Sequence, residues 1–127
     1  MKLIGFVENP YNYLKKSKFF VLSSAYEGFP NVLVEALFLR KAVIATDCDY
    51  GPREILEPNF DGEIKGLYRA KFGILVPTGD LNSLSNALAL LDKSSQTRTF
   101  YQNKAISRAN DFNIQVIYPQ YLAVVKE

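Results

Sequence analysis

The sequence of 127 residues lacks histidine, has one cysteine, and contains no apolar run near the roughly 20 residues that cross a bilayer. Without histidine, the common histidine-based metal sites and catalytic dyads cannot form within this chain. The single Cys48 excludes an internal disulfide and suits a reducing compartment. These absences predict a cytoplasmic protein without a membrane span.

Net charge is also small, because 15 basic residues are balanced by 13 acidic ones. A formal charge of +2 gives no reason to expect a nucleic acid partner. Apolar residues make up 48% of the chain and charged residues 22%, which is typical of a globular protein rather than a disordered one. The length fits a single domain.

Short apolar runs alternate with helical segments along the chain. The continuous runs Phe19–Ser23, Ala42–Ala45 and Gly73–Val76 are typical of parallel strands covered on both faces, and Leu3–Val7 is predicted as a further strand. This alternation predicts an α/β fold with a parallel, Rossmann-like sheet. Because a doubly wound sheet has two halves of three strands, the four predicted strands indicate a sheet that lacks its first strands.

Helices are predicted between and after these strands. The polar segment Glu57–Phe72 is predicted to be a long loop with some local structure, because proline and glycine interrupt its periodicity. The predicted helical segments are Tyr11–Lys16, Pro30–Leu39, Gly51–Leu56, a helix capped by Asp80, Gln96–Asn110 and Asn113–Val125.

The helix Pro30–Leu39 has the most informative pattern. Pro30 suits the first helical position, where a missing N–H costs nothing. The residues that follow are apolar almost all the way round the helix, which predicts that it is buried. Glu35 nevertheless stands in its second turn, and a buried carboxylate must be paired, protonated or reserved for a ligand.

The turn before this helix predicts an anion site. Ligands of open α/β sheets bind beyond the carboxyl ends of the strands, where the amides of Asn31 and Val32 would open the helix. Free amides and the helix dipole favour an anion, most often a phosphate. A phosphate there, with a carboxylate one turn further in, indicates a nucleotide whose ribose hydroxyls Glu35 accepts. Glu27 lies in the turn, so one ligand could touch both carboxylates.

Glu27 and Glu35 are separated by seven residues within EGFPNVLVEAL. This closely resembles the E-x7-E signature of the retaining glycosyltransferases of family 4, which have the GT-B fold. Three further blocks resemble the segments that follow in that family, in the same order: AVIAT at 42–46, DCDYGPREIL at 47–56 and GILVPTGD at 73–80. The resemblance identifies residues 1–127 as a partial donor-binding domain, the last part of a longer GT-B enzyme whose N-terminal domain holds the acceptor site.

The resemblance also implies roles for the turn and helix residues. Glu27 would be the catalytic residue beside the transferred sugar and the reacting phosphate, whereas Glu35 would hold the ribose hydroxyls. An ordinary turn carboxylate and an ordinary surface glutamate are the respective alternatives. Gly51 is interpreted either as a turn residue or as part of the donor site. The other residues placed at the sugar and diphosphate are Gly28, Phe29, Pro30, Asn31 and Val32.

The sequence departs from the family pattern at two places. The family usually has Cys-Gly-x-Pro before the third strand, but this chain has Leu39-Arg40-Lys41-Ala42, a change that concerns the stability of the helix end. The basic pair with which the family grips the diphosphate has no counterpart here. The isolated chain is therefore predicted to be inactive.

The resemblance implies transfer of a hexosyl or N-acetylhexosaminyl group from a nucleoside diphosphate sugar to a saccharide or lipid-linked acceptor, in bacterial polysaccharide, lipopolysaccharide or capsule assembly. It favours a UDP-linked donor over GDP-mannose, and it implies no metal; Asp47 and Asp49 are interpreted as loop caps. The alternative is a non-catalytic nucleotide-sugar binding or assembly module. A flavodoxin-like signalling domain would not explain the E-x7-E block.

Two surface interactions are also predicted. A sheet that lacks its first strands exposes an edge through which the chain would self-associate. Lys15, Lys16 and Lys18 form either a solvated face or a contact with anionic lipid at the inner face of the membrane.

Overall fold

The computed structural model describes residues 16–23, 31–48 and 51–112. Within these ranges the strands are β1 (Phe19–Leu22), β2 (Ala42–Asp47), β3 (Tyr68–Arg69) and β4 (Ile74–Pro77). The helices are α1 (Asn31–Phe38), α2 (Pro52–Leu56), α3 (Leu81–Lys93) and α4 (Ser95–Ala109).

The strands form one sheet in the order β1-β2-β4-β3. β1, β2 and β4 are parallel, whereas β3 lies antiparallel to β4 at the edge. Leu22 pairs with Ala45, and Asp47 pairs with Pro77, so the parallel strands end at one common edge. The predicted α/β class is confirmed, and the predicted parallel pairing holds for β1, β2 and β4.

The strand β3 was not predicted, because two residues are too few to show a strand period. It lies inside the predicted loop Glu57–Phe72, where Glu57 accepts hydrogen bonds from the Tyr68 hydroxyl and the Lys71 amide. The strand β2 extends to Asp47, two residues beyond the predicted end. Leu3–Val7 and Asn113–Val125 lie outside the described residues, as does Tyr11–Lys16 except for its last residue.

Helices cover both faces of the sheet. Val43 and Ala45 of β2 pack in one core cluster with residues of α1, α2 and α4. Their neighbours Ala42 and Ile44 face the opposite side and pack with α3 and Tyr101 of α4. Successive strand residues alternate between the two faces of the sheet. Because helices cover both faces, the β2 residues on each face are apolar, and the strand appears in the sequence as an uninterrupted apolar run.

The helix α1 is buried on all sides. Its five consecutive residues from Leu33 to Leu37 are each at most 2% exposed. Successive residues of an α-helix are rotated by about 100°, so five of them cover the whole circumference. The prediction of a buried helix is confirmed, with Val32 exposed in its first turn.

The helix α1 ends in a Schellman motif. The Arg40 amide donates to the Leu37 carbonyl at 2.9 Å, and the Lys41 amide donates to the Ala36 carbonyl at 3.0 Å. Arg40 has φ 60°, in the left-handed region where glycine is usual. Arg40 therefore stands at the helix end where the family pattern has glycine, as predicted.

Two side chains fix the starts of the last two helices. Asp80 accepts hydrogen bonds from the amide and hydroxyl of Ser83, and these bonds lower its pKa. Ser94 accepts a hydrogen bond from the Thr97 amide and caps α4 in the same way. The predicted Asp80 cap is confirmed. In the described part of the chain, no helix combines the length and the apolar character that a bilayer span requires.

Candidate functional site

The predicted site residues that the structure describes lie on, or directly before, helices that follow strands ending at the carboxyl edge of the sheet. The parallel strands β1, β2 and β4 end there, and α1 and α2 each begin after a strand that ends at that edge. A crevice outside the carboxyl ends is the usual ligand site of such sheets. Four of the predicted site residues lie outside the described residues, namely Glu27, Gly28, Phe29 and Pro30. Asn31, Val32, Glu35 and Gly51 can be placed.

Glu35 is a buried carboxylate in an apolar environment. It is 2% exposed, and the adjacent helix residues Val34 and Ala36 are equally buried. Among the described residues, no group donates a hydrogen bond to its Oε2. Burial raises the pKa of this carboxyl above its usual value. The structure excludes an ordinary surface glutamate, and within the described residues the Oε2 atom of Glu35 is left to be protonated or to bind a ligand.

The first turn of α1 lies between the crevice and Glu35. The helix begins at Asn31, and its first amides have no acceptor within the helix. Val32 is 37% exposed, so this end of an otherwise buried helix reaches solvent. With a rise of about 1.5 Å per residue, Glu35 lies about 6 Å along the axis from Asn31. The helix tip and the Glu35 side chain are thus attached about one turn apart.

Gly51 has a structural role at the start of α2. Its φ of 98° is a conformation that favours glycine. Its amide donates to Oε2 of Glu54 at 2.7 Å, and its carbonyl accepts from the Ile55 amide. Both backbone polar groups of Gly51 therefore have partners inside the chain, which supports the turn interpretation. A donor-site role for Gly51 stays a prediction.

Asp47 and Arg53 form an ion pair at the end of β2. Nε and Nη2 of Arg53 donate to the two carboxylate oxygens of Asp47 at 3.0 and 2.5 Å, and Nη1 donates to the Gly62 carbonyl at 2.6 Å. The hydrogen bond to Asp47 raises the pKa of the guanidinium. The interpretation of Asp47 as a loop cap is wrong, because its carboxylate is engaged by an arginine; Asp49 lies outside the described residues.

The Asp47–Arg53 pair lines a surface cavity of about 400 Å³. The guanidinium also lies 5.5 Å from the ring centre of Phe60, which borders the same cavity. Three carboxylates surround this single cation: Asp47, Glu54 and Asp61. An acidic cavity of this kind repels phosphate and suits hydroxyl groups.

Sequence reasoning missed the Asp47–Arg53 pair and the Glu54–Gly51 bond. A Glu three residues after a possible N-cap is a known capping signal, and Gly51-Pro52-Arg53-Glu54 carries it.

Within the described residues, no group of three or more side chains of the types that bind metal ions occurs.

A family model described as glycosyl transferases group 1 matches residues 1–93. The chain belongs to this glycosyltransferase family. An uncharacterized glycosyltransferase of Methanocaldococcus jannaschii is 36% identical over 98% of this chain, which covers 35% of that protein. In Campylobacter jejuni, an N-acetylgalactosamine-N,N'-diacetylbacillosaminyl-diphospho-undecaprenol 4-alpha-N-acetylgalactosaminyltransferase is 37% identical over 87% of this chain. The chain covers 27% of that enzyme, so this glycosyltransferase chain spans only about a third or less of either relative.

The fold of this glycosyltransferase chain is similar to that in the crystal structure of TarM. The TM-score is 0.66 with 23% sequence identity, and the similarity covers 98% of this chain and 23% of TarM. This similarity concerns the fold alone.

Proposed function

We propose that this chain is the donor-binding portion of a retaining glycosyltransferase that uses a nucleoside diphosphate sugar. The observation that carries the proposal is Glu35, a buried carboxyl one turn inside a helix that opens at the carboxyl edge, with one oxygen to which no described residue donates a hydrogen bond. Such a group is costly unless a ligand completes it. Two ribose hydroxyls are suitable donors, and the helix tip is a suitable place for the diphosphate.

The proposed chemistry is transfer of a sugar with departure of the nucleoside diphosphate. Amides at the tip of α1 would stabilise the charge that develops on the leaving phosphate, so the reaction would need no metal. Glu27 would lie beside the transferred sugar, and Gly28 to Pro30 would approach the donor with their backbone. Asn31 and Val32 open the helix where these contacts would be made.

The proposed donor is a UDP-linked hexose or N-acetylhexosamine, and the acceptor is a saccharide or a lipid-linked saccharide. The Campylobacter jejuni relative supports this choice, because its name gives an N-acetylgalactosaminyl group and a diphospho-undecaprenol acceptor. A reaction on such an acceptor would occur in the cytoplasm, at the inner face of the membrane.

The rest of the catalytic machinery would come from the remainder of a longer polypeptide. The chain covers 35% and 27% of its two relatives, which leaves room for a second domain that carries the acceptor site and the cations for the diphosphate. Among the described strands β1 lies at the edge of the sheet, and its four apolar residues are only partly buried, which supports this view.

The test is a transfer assay with the full-length protein. UDP-N-acetylhexosamines, UDP-hexoses and GDP-mannose would be offered with an undecaprenyl-diphosphate-linked saccharide, with and without EDTA. We expect transfer from a UDP-sugar that survives EDTA, with the anomeric configuration of the donor kept in the product by NMR. An inverted product would overturn the retaining mechanism, and absence of turnover with every nucleotide sugar would favour the non-catalytic binding module.

A further inference from the structure

A second cavity, of about 510 Å³, lies between β3 and the first two-thirds of α4. Arg69 of β3 pairs with Ile74, the first residue of β4, so the cavity lies toward the amino end of β4. Glu35 and Asp47 belong to the crevice at the opposite, carboxyl edge. We refer to this cavity as the basic groove, and the residues that give it its character are Arg69, Lys71, Thr97, Phe100, Tyr101 and Lys104.

The basic groove carries three cations and no carboxylate among its lining residues. Four ion pairs occur in the described part of the chain, and none of them includes Arg69, Lys71 or Lys104. The Glu57 carboxylate lies close by, where it accepts hydrogen bonds from the Tyr68 hydroxyl and the Lys71 amide, so three cations stand against one neighbouring carboxylate. The groove therefore concentrates positive charge in a protein whose net charge is only +2.

The groove has a rigid floor and one oriented donor. The buried Tyr101 donates its hydroxyl proton to the Ala70 carbonyl at 3.0 Å, which ties α4 to the end of β3. Nη2 of Arg69 donates to Oγ1 of Thr97 at 2.9 Å, and this bond holds the guanidinium against α4. The other N–H groups of Arg69 remain for a ligand, because a guanidinium has five donors.

One wall of the groove is an exposed aromatic ring. Phe100 is 51% exposed, although a large apolar side chain gains from burial. The Lys104 ammonium lies 5.1 Å from the centre of this ring, a cation–π distance that keeps the ammonium at the groove. The groove thus pairs cationic donors with an apolar surface.

We propose that the basic groove binds a phosphate group, supplied either by a soluble phosphate compound or by a lipid headgroup. A guanidinium and two ammonium groups around one cavity match the charge and the acceptor oxygens of a phosphate. Without an anion these like charges repel one another across the groove. The proposal is independent of the donor site, because it uses none of the residues at the carboxyl edge.

The test compares two triple variants of the full-length protein. The groove variant is Arg69→Gln, Lys71→Gln and Lys104→Gln. The control variant, Arg40→Gln, Lys65→Gln and Lys93→Gln, removes the same charges from residues that do not line the groove. Circular dichroism and thermal melting would show that both variants fold.

Two probes distinguish the source of the phosphate. Inorganic phosphate would be titrated in the presence of saturating UDP, which occupies the donor site. In a second arm, flotation would measure binding to vesicles of phosphatidylcholine with phosphatidylglycerol, against phosphatidylcholine alone. We expect the groove variant to lose about tenfold or more in affinity for at least one anionic probe, while the control variant does not.

The pattern across the two arms identifies the ligand. A loss in the phosphate arm alone points to a soluble phosphate compound, and a loss in the vesicle arm alone points to a lipid headgroup. UDP-sugar affinity should be the same in both variants, which separates this proposal from the donor site. Equal losses in the two variants, or no binding of either probe by the unmodified protein, would overturn it.

Discussion

Asp47, the last residue of β2, is held by Arg53 of α2 through two hydrogen bonds of 3.0 and 2.5 Å. The side chains are 12% and 23% exposed, respectively, so the pair is largely removed from water. The same guanidinium also donates to the Gly62 carbonyl. One arginine therefore connects the end of a central strand, a short helix and the following loop beside the proposed donor crevice.

We expect Arg53→Met to destabilise the protein by about 2–3 kcal/mol, because the Asp47 charge is left without its partner. The stability of Arg53→Lys should lie between those of the unmodified protein and Arg53→Met, since lysine keeps the charge but loses the bidentate geometry. Lys65→Gln is the control. Nζ of Lys65 lies 4.0 Å from Oε2 of Glu63 in an exposed ion pair, which should contribute little to stability. Chemical denaturation measures all three, and equal stabilities for Arg53→Met and Lys65→Gln would contradict the assigned role.

Arg40→Gly should stabilise the protein by about 1 kcal/mol. Arg40 has φ 60° and an exposed side chain, so glycine would relieve backbone strain without loss of packing. Asn59→Gly is a matched control, since Asn59 has φ 71° and asparagine tolerates this region well. Thermal melting should rank the Arg40 variant above the Asn59 variant; the reverse order would show that the helix end is not strained.

Stability should depend on pH through Glu35, whose pKa in the folded protein is raised above 4.5 by burial. Below the pKa that Glu35 has in the unfolded protein, the Glu35 carboxyl is protonated in both the folded and the unfolded state. At higher pH the unfolded state releases it first, so stability falls as pH rises through the folded pKa, by at most about 1.4 kcal/mol per unit. Glu35→Gln should flatten this dependence in urea titrations. An unchanged dependence would mean that Glu35 is ionised in the unliganded protein.

The chain of 127 residues alone should self-associate and should not transfer sugar. Among the described strands, β1 lies at the edge of the sheet and is apolar and only partly buried, and a strand edge that stays unpaired recruits partners. Catalysis also needs both reactants held together, which supplies much of the roughly 7–11 kcal/mol available from proximity. Light scattering and a transfer assay test both statements. A monomer with turnover equal to that of the full-length protein would contradict them.

The sequence predicted those features that local pattern controls. The apolar runs that became β1, β2 and β4 were visible because apolar residues pack against both faces of each of these strands. Glu35 stood out because a single carboxylate interrupts a helix that is otherwise apolar. The Asp80 cap could be predicted because Asp80 directly precedes a segment whose apolar residues recur at helical spacing.

Features that depend on distant residues were not predictable. The basic groove brings Arg69 and Lys71 next to Lys104, more than thirty positions away in the sequence. The strand β3 exists because β4 supplies its hydrogen bonds, not because its own two residues favour a strand. The Asp47–Arg53 pair was missed because the predicted strand ended at Ala45, so the local pattern did not place Asp47 at a strand end beside Arg53.

The central claim is that Glu35 binds the ribose of a nucleotide sugar, and calorimetric titration of Glu35→Gln in the full-length protein tests it most directly. A hydrogen bond to a charged group contributes about 1.5–3 kcal/mol, so UDP-sugar affinity should fall roughly 10- to 100-fold. The control Glu63→Gln alters an exposed carboxylate and should leave affinity unchanged. Unchanged affinity in the Glu35 variant, with the fold intact, would remove Glu35 from the site and contradict the account.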